Sequence, residues 1–178
     1  MVLRNNHDAV SEASTTGFTV GTSLGDPTIV DGLWDGPCYT VPWPGHMYMI
    51  LEKGTNRVIT LTNNGPRLQH ADGQYESSDN NRWLCVEKNG YFGFCNPRTG
   101  RYLGHDGDSG MCAGATVLDG WELMIPRRHP RGGYQLLSPH WWHTLMIITV
   151  ANDGMRLARR WHGQTRWEFI MCEQLQEQ

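Results

Sequence analysis

The residues of this chain with the greatest chemical capacity lie close together at positions 138–144, which read Ser-Pro-His-Trp-Trp-His-Thr. Two imidazoles, His140 and His143, flank two indoles, Trp141 and Trp142. An imidazole can give or take a proton near neutral pH, and an indole offers a flat apolar face with one N–H donor. This combination is typical of a ligand pocket that is mostly apolar and has a few converging polar groups.

Further residues are assigned to the same pocket. A second aromatic loop, Trp161-His162-Gly163, follows later in the chain. Arg128 belongs to a basic stretch that comes just before residues 138–144. We predict His143, His140 and Arg128 as catalytic groups, because a histidine or an arginine can polarise a carbonyl. The predicted substrate-binding residues are all tryptophans: Trp34, Trp43, Trp141, Trp142 and Trp161. The alternative interpretation is that these side chains only cover one end of the fold or receive the N-terminal segment.

No metal ion and no cofactor is expected. His140-x-x-His143 supplies two ligands, which is a weak zinc signal. Asp106-Gly-Asp-Ser-Gly110 resembles a fragment of a calcium loop but lacks the closing glutamate, so a turn is predicted. The chain has no Walker loop, dinucleotide fingerprint or Gly-x-Ser-x-Gly elbow.

The elements that would position these residues come in three repeats, called units one, two and three, whose first apolar runs begin at Tyr48, Tyr91 and Tyr134. Tyr48, Tyr91 and Tyr134 each begin a short apolar run and are spaced 43 residues apart, twice. Each run is answered by a run that begins with tryptophan, at positions 83, 121 and 167. Three units with several short strands each can close about a threefold axis, and closure removes exposed sheet edges. The prediction is an all-β fold of twelve strands, a β-trefoil with a six-stranded barrel and three hairpins, in which these tyrosines are equivalent and these tryptophans are core.

The repeat also carries a resemblance. The Tyr/Trp framework, Gly100-Arg-Tyr-Leu-Gly-His-Asp106 and Gly132-Gly-Tyr-Gln-Leu-Leu137 resemble β-trefoil proteins of the fascin-like and ricin-B-like superfamily, most closely a group of small fungal trefoil proteins. The resemblance covers roughly residues 45–172 and implies the fold. It implies little about activity, because trefoils host many unrelated functions.

The chain ahead of the repeats differs in character. Residues 26–45 combine Pro37, Pro42 and Pro44, which disfavour helix and central strand, with four large apolar side chains that are unusual in a free linker: Leu33, Trp34, Tyr39 and Trp43. We therefore expect an N-terminal extension at 1–45, packed on the barrel over 26–45, and a trefoil domain at 46–178. Residues 1–45 carry five acids against one base, whereas 121–170 carry seven arginines against three acids.

Composition narrows the classes of partner and compartment. The net charge is −3, which is unusual for a nucleic-acid-binding protein. No stretch approaches the roughly 20 apolar residues of a membrane span. The five cysteines, at 38, 85, 95, 112 and 172, include no Cys-x-x-Cys pair, so free thiols in a cytoplasmic protein are expected. A monomer that contacts neither nucleic acid nor membrane is the resulting expectation.

Three functions are compatible with these features. The first is a small-molecule protein with one asymmetric pocket, and specifically a cofactor-independent cyclase or isomerase of fungal specialised metabolism that folds an apolar substrate. The second is a lectin-like module that binds a glycan, although the Gln-x-Trp pattern is absent because Gln164-Thr-Arg-Trp167 has one residue too many. The third is a fascin-like protein-interaction module. The unmatched aromatic loops of unit three favour the first.

Overall fold

A computed structural model describes residues 40–71, 78–141 and 143–172, which all belong to one compact unit, Trp34–Gln178. The described residues form short strands and no helix. The thirteen strands are β1 Met47–Glu52, β2 Arg57–Thr62, β3 Gly65–His70, β4 Trp83–Lys88, β5 Tyr91–Asn96, β6 Arg101–Tyr102, β7 Gly104–His105, β8 Met111–Cys112, β9 Ile125–Arg128, β10 Tyr134–His140, β11 Thr144–Val150, β12 Leu157–Arg160 and β13 Trp167–Cys172.

Six of these strands close into a barrel. Antiparallel pairing links β13 to β1, β1 to β4, β4 to β5, β9 to β10, and β10 back to β13. A bridge between Phe92 and Met124 joins β5 to the start of β9 and completes the ring. Both backbone hydrogen bonds of this bridge form, at 2.9 and 2.7 Å. Closure leaves no free edge in the barrel, which is the arrangement that the sequence predicts.

Three hairpins pack together beside the barrel. Two of them are the regular hairpins β2–β3 and β11–β12. The third is interrupted: β7 pairs with β8, and β6 is hydrogen-bonded to the loop 113–115. Leu103 separates β6 from β7, so these two strands together occupy the place of one predicted strand. Bridges from Arg67 to Arg156 and from Gly110 to Ala158 connect the hairpins to one another. The predicted all-β fold with three pseudo-repeats is confirmed.

The register of the repeats differs from the prediction in unit two. Tyr48 pairs with Met171 and Tyr134 pairs with Arg128, and both partners lie near the ends of their strands. The residue that pairs in the same way on β5 is Phe92, opposite Glu87, and not Tyr91. Phe92, and not Tyr91, therefore occupies the position equivalent to Tyr48 and Tyr134. The prediction that the three tyrosines are equivalent is wrong by one residue in unit two.

The core tryptophans of units one and three are confirmed. Trp83 and Trp167 are fully buried, and their indole N–H groups donate to the carbonyls of Ile59 at 2.9 Å and Ile148 at 3.1 Å. These are the same contacts in two repeats.

Trp121 breaks this pattern, and its prediction as a core residue is wrong. Its side chain is 57% exposed. Met124 is fully buried, and its backbone pairs with Phe92. In unit one, Trp83 pairs with Tyr48 in the same way. The core position of unit two is therefore filled by methionine, three residues after the tryptophan that the spacing selects.

The residues just before β1 contact the barrel. The backbone N–H of Thr40 donates to the carbonyl of Phe169 at 2.9 Å, and that of Gly45 donates to Cys85 at 2.8 Å. Pro42 is buried, and the hydroxyl of Tyr48 accepts from the N–H of Trp43 at 3.0 Å. The rest of the predicted extension, residues 1–39, lies outside the described residues, and the proposed boundary at residue 45 remains a prediction.

Two general expectations can be compared with the described residues. Cys85, Cys95, Cys112 and Cys172 are free thiols, as predicted, and Cys38 lies outside the described part. Among the described residues, no helix is long and apolar enough to pass through a bilayer.

Candidate functional site

The aromatic stretches that the sequence singles out line one groove in unit three. His140 ends β10, and Trp161 follows β12 directly. Their rings meet edge to face, with centroids 4.8 Å apart and an interplanar angle of 87°. The groove has a volume of about 490 Å³, and its lining residues are Gly107, Asp108, Ser109, His140, Met146, Arg159, Arg160, Trp161 and His162.

The backbone explains why both aromatic side chains reach the same place. β10 and β11 form a hairpin in which His140 pairs with Thr144, and β12 pairs with β11 from the other side. Trp141 sits in the turn with φ +57°, in the left-handed region that β-branched and bulky residues seldom adopt. This conformation leaves its ring 75% exposed and 5.7 Å from the His140 ring. The turn thus presents a tryptophan to solvent at the rim of the groove.

Arg159 holds the opposite wall of the groove in place. Its side chain is only 3% exposed, and its guanidinium donates to the carbonyl of Asp108 from Nε at 3.1 Å and from Nη2 at 2.9 Å. Nη1 donates to the carbonyl of Pro139 at 3.3 Å. Burial lowers the pKa of Arg159, and Asp106 and Asp108 act against that shift. One buried cation therefore ties the loop 107–109 to the end of β10, so that the groove has two fixed sides.

The loop that Arg159 holds is a closed turn. The carboxylate of Asp106 accepts hydrogen bonds from the N–H groups of Asp108 at 2.9 Å and Gly110 at 3.1 Å. The backbone of Asp106 also donates to the carbonyl of Gly110 at 3.1 Å. One oxygen of Asp106 is thus used within the loop, which agrees with the predicted turn. Across the described residues, no group of three or more His, Cys, Asp or Glu side chains is arranged to hold a metal ion.

An uncharged histidine lies behind this loop. His105 is buried, stacks on the Trp121 ring at a centroid distance of 5.3 Å, and accepts the N–H of Gly107 through Nδ1 at 3.0 Å. Burial, with the nearby Arg159 charge, lowers its pKa to about 4, against an opposing effect of Asp106. His105 is therefore neutral at pH 7, and the exposed Trp121 serves as its cover.

The structure separates several of the predicted site residues. Trp43 is 63% exposed and does not line the groove; its ring lies nearly perpendicular to that of Phe92, with ring centroids 6.4 Å apart. Arg128 borders a different depression, between β9 and β10. His143 is exposed and does not line the groove. Trp34 and Trp142 lie outside the described residues. Of the predicted set, His140, Trp161 and the rim residue Trp141 come together.

Sequence reasoning missed the polar half of the groove. Asp108 and Ser109 were assigned only to a turn, and Arg159 and Arg160 only to a basic region. The hint in the sequence is the pair Arg159-Arg160 at the end of an apolar strand. Alternation along a strand directs one of two neighbouring side chains inward, and a buried arginine needs acceptors. The loop that supplies those acceptors lies 51 residues earlier, which spacing alone does not reveal.

Chemically, the groove joins an aromatic surface to hydrogen-bonding groups. Trp161 is 54% exposed, and the other residues that line the groove include Asp108, Ser109 and Arg160. Such a site suits a ligand with one apolar face and several hydroxyl groups.

Comparisons with known proteins bear on the fold. No protein-family model and no curated protein sequence matches the chain. Among solved structures, it is similar to a Macrolepiota procera ricin B-like lectin in complex with lactose, at 18% identity and a TM-score of 0.59 over 74% of this chain and 98% of that one. It is also similar to ThreeFoil, a designed threefold symmetric protein, at 15% identity and a TM-score of 0.56 over 70% and 97%. The fold is a β-trefoil.

Another similar solved structure is that of an enzyme. A GlcNAcα1-4Gal-releasing endo-β-galactosidase from Clostridium perfringens matches at 19% identity and a TM-score of 0.59, over 72% of this chain. The match spans only 33% of that enzyme's chain. At these identities the likeness establishes the fold of the trefoil domain alone.

Proposed function

We propose that this β-trefoil binds carbohydrate in the groove between Trp161 and the loop 107–109. The observation that carries the proposal is the placement of an exposed indole, Trp161, against a half-buried imidazole, His140, across from a fixed polar loop. The similarity to lectins of known structure supports the carbohydrate-binding hypothesis over the cyclase hypothesis.

The geometry fits a sugar on both of its sides. A pyranose ring has an apolar face of C–H groups that packs on an aromatic ring, and a rim of hydroxyl groups that need hydrogen-bond partners. Trp161 offers the flat surface, whereas Asp108, Ser109 and Arg160 border the space in front of it. Because Arg159 already fixes the loop, binding requires little ordering of the backbone, and the entropic cost of association falls.

A single site in unit three follows from the broken symmetry. The stretch 138–144 and the loop at Trp161 have no counterparts in units one and two. Trp121 of unit two is exposed, but its ring is occupied by stacking on His105. The proposed module therefore has one glycan-binding site. Tight binding to a cell surface or polymer would need several copies of the module.

The cyclase hypothesis finds less support in this geometry. A catalyst that folds an apolar substrate needs a site that excludes water. The described lining is instead open and includes carboxylate, hydroxyl and guanidinium groups. Arg128 lies elsewhere, so that His140 is the only proposed catalytic residue in the described lining. A hydroxylated ligand matches these residues better than an apolar one.

A comparison of two tryptophan variants tests the proposal. The purified chain is screened on a glycan array, and lactose and the strongest hits are then titrated by NMR. The W161A variant should lose about tenfold or more in affinity, since the stacking surface disappears. The matched control is W43A, which removes a tryptophan of similar exposure outside the groove and should bind normally.

Two results would contradict the proposal. One is glycan binding that W161A leaves unchanged. The other is a chain that binds no glycan but retains an apolar small molecule or a protein partner in the groove, which would favour the cyclase-like or the fascin-like interpretation instead.

A further inference from the structure

A cluster of arginines lies on the turn between β9 and β10. Arg127 and Arg128 end β9, Arg131 lies in the turn, and Arg166 reaches it from the residue before β13. These four residues are called the arginine cluster below. None of them lines the glycan groove in unit three.

The arginine cluster has no neutralising partner within the described part of the chain. Among residues 40–71, 78–141 and 143–172, no carboxylate lies within ion-pair distance of any of the four guanidinium groups, whereas Arg57 pairs with Glu52, and Arg156 pairs with Asp153. The neighbouring Lys53 is itself paired with Glu168. Like charges held together on a surface repel one another, so four unpaired arginines favour any ligand that brings negative charge.

The turn is also held in a fixed shape. The side chain of Arg166 donates to the carbonyls of Arg131 at 2.6 Å and Gly132 at 3.3 Å. Within the turn, the N–H of His129 donates to the carbonyl of Gly133 at 2.9 Å, and the N–H of Arg131 donates to Nδ1 of His129 at 3.1 Å. Positive φ angles at Gly132 and Gly133 permit this tight path. The backbone below the arginines is therefore preorganised.

Two guanidinium groups of this turn are available to a ligand. Arg127 uses Nη2 to donate to Gln135 at 2.7 Å. The side chains of Arg128 and Arg131 are exposed and make no hydrogen bond to any described residue. Arg128, His129, Pro130 and Gly132 border a depression of about 370 Å³, which is large enough for a sulfated sugar unit. Burial and the charges of Arg131, Arg166 and Arg127 lower the pKa of His129, which is a further sign of positive potential.

We propose that the arginine cluster is a second binding site, which takes sulfated polysaccharide. Guanidinium groups recognise sulfate through paired hydrogen bonds of fixed geometry, in the same way as they recognise phosphate and carboxylate. A sulfated chain presents such groups at regular intervals along a flexible polymer, so that one sulfated sugar unit can occupy the depression beside Arg128 while a neighbouring sulfate reaches Arg131.

Two other polyanions fit the cluster less well. A membrane surface is usually engaged by basic residues together with apolar side chains that enter the lipid. None of the large exposed apolar side chains of the described structure lies in this turn. Single-stranded nucleic acid is usually bound with aromatic side chains on which bases stack. The arginine cluster and the residues that border its depression include no phenylalanine, tyrosine or tryptophan.

The test compares two double variants of the full chain that remove the same charge. R128Q/R131Q removes the two free guanidiniums, and R98Q/R101Q removes two exposed arginines from the turn at 96–101 in unit two. Binding to heparin is measured by calorimetry over a range of salt concentrations. R128Q/R131Q should weaken heparin binding about 10- to 30-fold and flatten its salt dependence, because two ionic contacts are lost. R98Q/R101Q should bind heparin as the unmodified chain does.

Other ligands and variants complete the test. Fully desulfated heparin should not bind, whereas W161A should bind heparin normally, which separates this site from the glycan groove. Four outcomes overturn the proposal: equal losses in the two double variants, unchanged binding by R128Q/R131Q, equal binding of desulfated polymer, or tighter binding at equal salt to a DNA oligonucleotide or to vesicles of anionic lipid.

Discussion

At the scale of single residues, His105 illustrates how burial sets protonation. Its ring lies between Trp121 and the loop that Arg159 holds, and these neighbours favour the neutral form. In the unfolded chain the same imidazole titrates near pH 6.5. The folded form binds its proton only at a pH of about 4.

The stability of the protein should therefore depend on pH through His105. Between pH 6.5 and about 4 the unfolded chain binds the proton and the folded chain does not, so the free energy of unfolding falls as the pH falls. The slope for one proton is about 1.4 kcal/mol per pH unit at most. Urea unfolding at pH 7 and pH 5 measures it, with H105Q as the comparison. The idea fails if H105Q loses as much stability as the unmodified chain.

At the scale of elements, β5 depends on a close approach. The strand reads Tyr-Phe-Gly-Phe-Cys-Asn, and Gly93 is buried against Leu118 of the loop before β9. A β-carbon at Gly93 would come within 2.4 Å of Cδ1 of Leu118. A glycine inside a strand commonly marks such a contact, and here it lets the side chain of Leu118 pack directly on the backbone of β5.

The G93A variant should be destabilised by about 1–3 kcal/mol, because the added methyl group overpacks the contact with Leu118. The control is G114A, at an exposed position with ordinary φ where an added β-carbon has nothing within 4 Å. Its stability should change by less than about 1 kcal/mol, or rise slightly. Thermal and urea unfolding measure both variants, and equal effects would show that β5 has room to shift.

At the scale of the whole molecule, the pseudo-threefold axis is imperfect in a specific way. Trp83 and Trp167 occupy equivalent core positions and make the same hydrogen bond, whereas Met124 takes that position in unit two. Threefold packing therefore explains two of the three framework tryptophans. The third, Trp121, covers His105 at the surface.

Alanine variants should reproduce this asymmetry. W83A and W167A should each lose about 3–5 kcal/mol of stability, since each leaves a large cavity and an unpaired carbonyl. W121A should lose about 1 kcal/mol or less, because its ring is largely in water. Denaturant unfolding of the three variants under one condition provides the measurement. A loss at W121A as large as at W83A would contradict the arrangement described for unit two.

The sequence by itself determined the fold because its signals are local and repeated. Alternating apolar strands, the Asn-Asn-Gly turn at 63–65 and the tryptophan-led runs each act over a few residues, and three copies of them require closure. The repeat comparison also grouped His140 with Trp161, because both lie in aromatic stretches of unit three that have no counterparts in units one and two.

Only the tertiary structure decided which side chains meet across the repeats. The contact of Arg159 with Asp108 joins positions 51 residues apart, and Trp121 is exposed because Met124, three residues later, occupies the core position. Such outcomes depend on packing among residues that are distant in the sequence, because a core position filled by one side chain has no room for a second. A repeat in the sequence fixes how often a position recurs, whereas the shape of the core decides which residue fills it.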